Sequence, residues 1–208
     1  MLQRVSFSVG GNDVEGILHL PDGSTLGGAP VLGGRIGTIE SVAFLCDALA
    51  EAGIAALRFS FRAEDPLARL ADTAGAIRLL RAHPAIPQRV GIVGHSYGAA
   101  IAALAAGRDS RVRAAALIAP PVRRDYFGDV KPIAELSRTR AKVLIVKPAA
   151  DTEIDPDDSD RYAQVLRQAG AVHRVVTIAG ADHDFTGAGH RAELLEALGA
   201  WMRDALGA

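Results

Sequence analysis

Six short apolar runs, most of them followed by a stretch of helical periodicity, constrain what this chain can fold into. The runs are APVLGG (29–34), IAALRFSF (54–61), RVGIVG (89–94), RAAALIAPP (113–121), AKVLIVKP (141–148) and HRVVTIAG (173–180). Each is strand-length, and a continuous apolar run suits a strand covered on both faces. Between them, Val42, Leu45, Leu49 and Ala52 share one helical face of 38–52, with Gly53 as the stop. Leu67, Leu70, Ala74, Ile77 and Leu80 do the same over 66–82, and 96–106 is built almost entirely of small residues. Residues 157–169 are charged on one side, and 190–206 carries Leu194, Leu195, Leu198, Trp201 and Met202. This alternation predicts an α/β fold, a doubly wound and mostly parallel sheet with helices on both faces. Ahead of it, 4–9 and 14–20 alternate apolar and polar residues around GGND, which predicts an N-terminal β-hairpin. With no repeat, low-complexity tract or long linker, the 208 residues are expected to form a single domain over 1–208. That length buries a substantial core without disulfides or metals.

Composition narrows the partners. A formal net charge of -1 gives no electrostatic case for nucleic acid or an anionic membrane. The single cysteine, Cys46, can form neither an internal disulfide nor a multi-cysteine zinc site, and its place in a helical pattern reads as small core packing. The N-terminus has no apolar signal core and no run approaches membrane-spanning length, so the expectation is a soluble cytoplasmic protein.

In sheets of this kind, sites lie beyond the carboxyl ends of the strands. After the run at 89–94 stands GHSYG (94–98), with Ser96 between Gly94 and Gly98 on a strand-to-helix turn. A serine held on so sharp a turn needs room two residues away on either side, which is what the glycines supply. Ala99, Ala100, Ala102 and Ala103 extend the demand for small residues into the helix. The helix N-terminus favours negative charge, so the Tyr97 N–H is placed to receive an oxyanion. The five-residue pattern alone is a weak signal, arising by chance in roughly one chain in ten of this composition; its setting and its partners give it weight.

A serine nucleophile needs a base and an orienting acid, in the chain order serine, acid, histidine for this topology. KPAADTEIDP offers Asp151 and then Asp155, and GADHDF offers His183. Asp155 precedes Pro156 and reads as a helix start, so Asp151 is preferred. His190 opens the last helix and is the weaker rival to His183, while His95 reads as packing beside the turn. The run DTEIDPDDSD (151–160) begins like a calcium loop, but Pro156 and Tyr162 stand where that loop needs Gly and Glu. No metal is expected.

With these residues assembled, the chain resembles the α/β-hydrolase family, specifically its small capless members related to dienelactone hydrolase. The residues that carry the resemblance are GHSYG (94–98), PAAD (148–151), GADHDF (180–185) and LAEAGIAALRFSFR (49–62). It implies an α/β-hydrolase fold, a triad of Ser96, Asp151 and His183, no cofactor and a small-molecule ester as substrate. It also implies a second oxyanion N–H from the segment that in relatives reads HG or HP. Here that segment is LGGRIG (32–37), with Gly33 in the histidine's place, which leaves Gly34 and Arg35 as donors, Arg35 preferred. Serine stands where dienelactone hydrolases carry cysteine, so their substrate is not implied. The same serine excludes dehalogenase and epoxide hydrolase chemistry, which needs an aspartate there. Only about 20 residues separate 113–121 from 141–148, enough for one short helix at most and therefore little or no cap.

Arg35, Arg62, Arg123 and Arg124 follow strand ends and point to an anionic group on the substrate, with Arg62 and Arg123 taken as substrate-binding. The expectation is a serine hydrolase that cleaves an ester, thioester or lactone through an acyl-enzyme. A reading of another class is a catalytically silent hydrolase-fold binding module, which the unusual GGR segment keeps open. A homodimer through the hairpin edge or the last helix is a further expectation.

Overall fold

A computed structural model describes residues 1–35, 38–123 and 126–207. Eight strands form one sheet in the order β1-β2-β4-β3-β5-β6-β7-β8. They are β1 (Leu2–Val9), β2 (Asn12–His19), β3 (Gly27–Leu32), β4 (Ile54–Phe59), β5 (Val90–His95), β6 (Val112–Ile118), β7 (Lys142–Pro148) and β8 (His173–Ile178). β1, β2 and β4 pair antiparallel, and every neighbouring pair from β4 through β3 to β8 is parallel. The hairpin and the mostly parallel sheet expected from the sequence are both present.

Parallel neighbours need crossovers, and the crossovers put helices on both faces. A 3₁₀ turn over Ile39–Val42 leads into α1 (Ala43–Glu51), which shares one face with α6 (Ala188–Gly207). Leu45, Leu49, Val146, Leu194, Leu198 and Met202 fill the core on that side. The other face carries α2 (Pro66–Ala82), α3 (Tyr97–Arg108), α5 (Asp158–Gln168) and the short α4 (Pro132–Leu136). Its core is built from Leu57, Ile77, Ile92, Ile101, Tyr162 and Leu166. Helix α4 packs on α3, where the Gly107 backbone lies directly against the Glu135 carbonyl, so it does not cap the carboxyl ends of the strands. Among the described residues, no helix is long and apolar enough to cross a membrane.

Helix α2 departs from its apolar pattern. Leu67 is 50% exposed, whereas Arg69, Asp72 and Thr73 are buried beside Ile77 and Leu80. The hairpin explains the rotation: a Cβ on Gly75 would stand 2.6 Å from Val9 Cγ2. That close approach turns the polar side of the helix inward, where Asp72 and Thr73 find partners. Arg62 Nε donates to Asp72 Oδ1 at 2.7 Å, its Nη1 donates to the Val9 carbonyl at 2.9 Å, and Thr73 Oγ1 donates to the Arg69 carbonyl at 2.8 Å. A carboxylate with no exposure, as at Asp72, is tolerated only with such a partner.

Candidate active site

Strand β5 ends at His95, and Ser96 follows at φ 56° and ψ -125°, directly before α3. A non-glycine residue at positive φ costs on the order of 1–3 kcal/mol and persists only where its surroundings hold it. Here the Ser96 N–H donates to the Ile118 carbonyl at 2.8 Å, and the Ser96 carbonyl accepts from the Ala99 N–H at 2.8 Å. A Cβ on Gly94 would lie 2.6 Å from the Ala99 nitrogen, and one on Gly98 would lie 2.5 Å from the Gly33 carbonyl oxygen. Strand end, helix start and the segment after β3 therefore meet backbone to backbone. Any side chain at 94 or 98 would force them apart.

Ser96 opens onto a cavity of about 830 Å³ that His183, Tyr97, Gly34 and Arg35 also line. The Gly34 backbone is close to the serine, since a Cβ built on it would stand 3.8 Å from Ser96 Cβ. Phe44, Ile118, Ile154, Phe185 and Leu194 supply apolar wall, and Glu153, Asp184 and Arg191 supply charge.

His183 follows β8 and Asp151 follows β7, so two neighbouring strands deliver an imidazole and a carboxylate to one sheet edge. His183 Nδ1–H donates to Asp151 Oδ2 at 2.7 Å, with the side chains only 6% and 3% exposed. Asp151 Oδ1 accepts the N–H of Glu153 at 2.8 Å and that of Ile154 at 3.3 Å, which fixes the carboxylate. Because a carboxylate accepts, the ring proton stays on Nδ1 and Nε2 is left as the proton acceptor. Burial by itself lowers the His183 pKa. The hydrogen bond to Asp151 and its charge outweigh burial, Glu153 and Asp184 add to them, and the imidazole is held above its ordinary 6.5. Burial raises Asp151, but the bonds from His183 and from the Glu153 N–H hold it below the usual carboxylate value. Glu153 Oε2 lies 4.0 Å from His183 Nε2, on the cavity side of the ring.

His95 braces the same loop. Its Nε2–H donates to the His183 carbonyl at 2.9 Å, and the two ring centroids are 5.1 Å apart. Burial lowers the His95 pKa, which favours the neutral ring.

Residues 40–203 match the dienelactone hydrolase family. The chain belongs to that family. No curated protein matches this dienelactone hydrolase family member. Solved structures similar to it include the esterase domain of a Rhodothermus marinus protein, 22% identical over 100% of both chains with a TM-score of 0.83. Est1E from Butyrivibrio proteoclasticus is 16% identical over 99% of both chains, with a TM-score of 0.86. A dienelactone hydrolase from Anabaena variabilis is 21% identical over 99% of this chain and 98% of that one, with a TM-score of 0.79. At these identities the structures share the fold, while membership of the family supports ester hydrolysis.

In this dienelactone hydrolase family member, the expected Ser96, His183, Tyr97, Gly34 and Arg35 share one cavity, with Asp151 behind His183. Arg62 is placed elsewhere: Asp72 and the Val9 carbonyl hold its guanidinium, and it is not among the described residues that line the Ser96 cavity. The Arg123 guanidinium lies 5.0 Å from the centroid of the cavity-lining Tyr126 ring. Arg124 lies outside the described residues. His190 packs on the Gly180 and Gly187 backbone, away from the cavity. Asp155 accepts the Asp157 N–H at 3.0 Å and pairs with Arg161 at 3.4 Å, the duties of a helix start. Cys46 has no exposure, and burial pushes its thiol far up. Arg191 was missed: it lines the cavity, donates to the Phe185 carbonyl at 3.2 Å and lies 4.6 Å from the Phe44 ring centroid. Its position at a helix start carries no pattern that distinguishes it from any surface arginine.

Proposed function

We propose that this chain is a serine esterase that acts through an acyl-enzyme on a small or accessible ester. The observation that carries the reading is the 2.7 Å Asp151–His183 hydrogen bond beside the cavity onto which Ser96 opens. His183 Nε2 takes the hydroxyl proton as Ser96 Oγ attacks the ester carbonyl, and Asp151 stabilises the imidazolium. The N–H of Tyr97 and that of Arg35 or Gly34 receive the oxyanion, at about 3–4 kcal/mol per donor. The imidazolium returns its proton to the departing alkoxide, and water then repeats the sequence to release the acid. Helix α4, packed on α3, leaves the cavity uncapped, which suits short acyl groups. Of the arginines taken as anion-binding, Arg35 lies on the cavity and would meet an anionic substituent there.

A fluorophosphonate probe tests the reading, because only an activated serine reacts with it. Labelling of the wild type that is lost in Ser96→Ala is the expected result. A wild type that stays unlabelled points to the catalytically silent binding module instead.

The acid–base geometry also sets a pH profile. His183 acts as base only when neutral, and its pKa is held above 6.5, so kcat/KM falls as pH drops through a midpoint above that value. Glu153 is one of the carboxylates that hold it there. Glu153→Gln is therefore expected to move the midpoint of kcat/KM to lower pH, and an unmoved midpoint would show that Glu153 has no influence on the base.

A further inference from the structure

We propose that Arg69 is a positioning residue for the oxyanion hole, one buried guanidinium that holds the Arg35 segment and Tyr97 in register. The proposal rests on the serine esterase reading above. Arg69 is 4% exposed and projects from the inward face of α2. Its Nη2 donates to the Arg35 carbonyl at 3.1 Å, and its Nε donates to the Ala63 carbonyl at 3.1 Å. The guanidinium lies 4.7 Å from the ring centroids of both Phe61 and Tyr97. The Tyr97 hydroxyl in turn lies 3.3 Å from both the Glu64 and Tyr126 carbonyls, which share its one proton. The segments after β3 and β4, the start of α3 and the loop after β6 thus meet at one cation and one ring.

The arrangement is a costly way to fill space. A buried guanidinium wants a carboxylate, yet among the described residues none forms an ion pair with Arg69, and its buried Nη1 has no hydrogen-bond partner. An apolar side chain of the same length would pack between Phe61 and Tyr97 without that cost. What it would lack is a grip on the Arg35 carbonyl. That grip matters because Gly33 and Gly34 precede Arg35, and consecutive glycines leave a backbone with more freedom to lose than any other pair. The candidate second oxyanion donors, Gly34 and Arg35, lie on that pliable stretch, and Arg69 ties its end to the helix that carries the first donor. A donor displaced by about 1 Å can forfeit roughly 10²-fold in rate.

The test compares Arg69→Met and Arg69→Lys with wild type in kcat and KM for p-nitrophenyl acetate, per serine titrated with fluorophosphonate, alongside thermal melts. Arg69→Met is expected to lower kcat by roughly 30-fold with KM within about 3-fold, since the loss falls on oxyanion stabilisation. Arg69→Lys, which keeps the charge and reaches one carbonyl, is expected to lie between, roughly 5-fold below wild type. A merely structural role would lower the melting temperature or the yield and leave kcat per titrated serine unchanged, and that result overturns the proposal. If Arg69→Met does not fold, Arg69→Lys carries the test: its reduced kcat at unchanged KM supports the proposal, and a wild-type kcat overturns it. A wild type that neither hydrolyses the ester nor takes the probe sinks the esterase reading and this proposal together, whereas an active wild type with undiminished variants sinks this proposal alone.

Discussion

Replacing Ser96 by alanine is expected to lower ester turnover by at least ~10³-fold. The hydroxyl stands on the strained turn at the cavity, and in the proposed mechanism its loss would leave His183 with no proton to take and the ester with no nucleophile. What remains is whatever the oxyanion donors and the binding surface achieve with water. The fold should be little affected, because Ser96 is tied to Ile118 and Ala99 through its backbone N–H and carbonyl, which alanine keeps. Alanine also inherits the positive φ at similar strain. The measurement is kcat/KM for a short-chain ester beside a thermal melt of the same preparation. A variant within about tenfold of wild type would remove Ser96 from the nucleophile's role.

Asp151→Asn is expected to cost about 10⁴-fold in kcat through the imidazole tautomer. The asparagine amide can donate to Nδ1, which moves the ring proton to Nε2 and leaves nothing to accept the serine proton. The asparagine oxygen can still accept the N–H groups of Glu153 and Ile154, so the loop keeps its shape. The midpoint of any residual activity should shift down, because the hydrogen bond and charge that outweigh burial at His183 are gone. Stability follows the same linkage. Asp151 is depressed in the folded state, so its contribution is present at neutral pH and lost as pH falls through its folded pKa. Asp151→Asn should therefore show a weaker loss of stability in acid than wild type. A double variant with Ser96→Ala should be no slower than Ser96→Ala alone, since the groups act as a unit. Additive losses would mean that Asp151 works through something other than the His183–Ser96 pair.

Much of the architecture and of this site is a local property of the chain. Apolar runs such as AKVLIVKP become buried strands because no other short structure hides such a run on both faces. Gly94 and Gly98 announce the turn because the backbones they bring together leave no space for a Cβ. Ser96, Asp151 and His183 each stand just after an apolar run, where the sequence itself marks a strand end. Tertiary structure decided the rest. The inward polar face of α2, the capture of Arg62 by Asp72, the His95 bond to the His183 carbonyl and the place of Arg69 between two rings join residues far apart in sequence. Hydrophobic periodicity records which side of an element avoids water. It carries no record of a buried charge whose partner arrives from another element, so those pairings exist only once the chain has folded.

Catalysis as proposed requires one imidazole, tethered to a carboxylate just beyond the neighbouring strand, to reach the hydroxyl held at the tip of the turn. What the amino-acid order alone settles is which strands and which turn exist, because sterics between neighbouring residues leave little choice. Which cation meets which carbonyl was settled only by packing, since hydrogen bonds across the core form between atoms that the linear chain keeps apart.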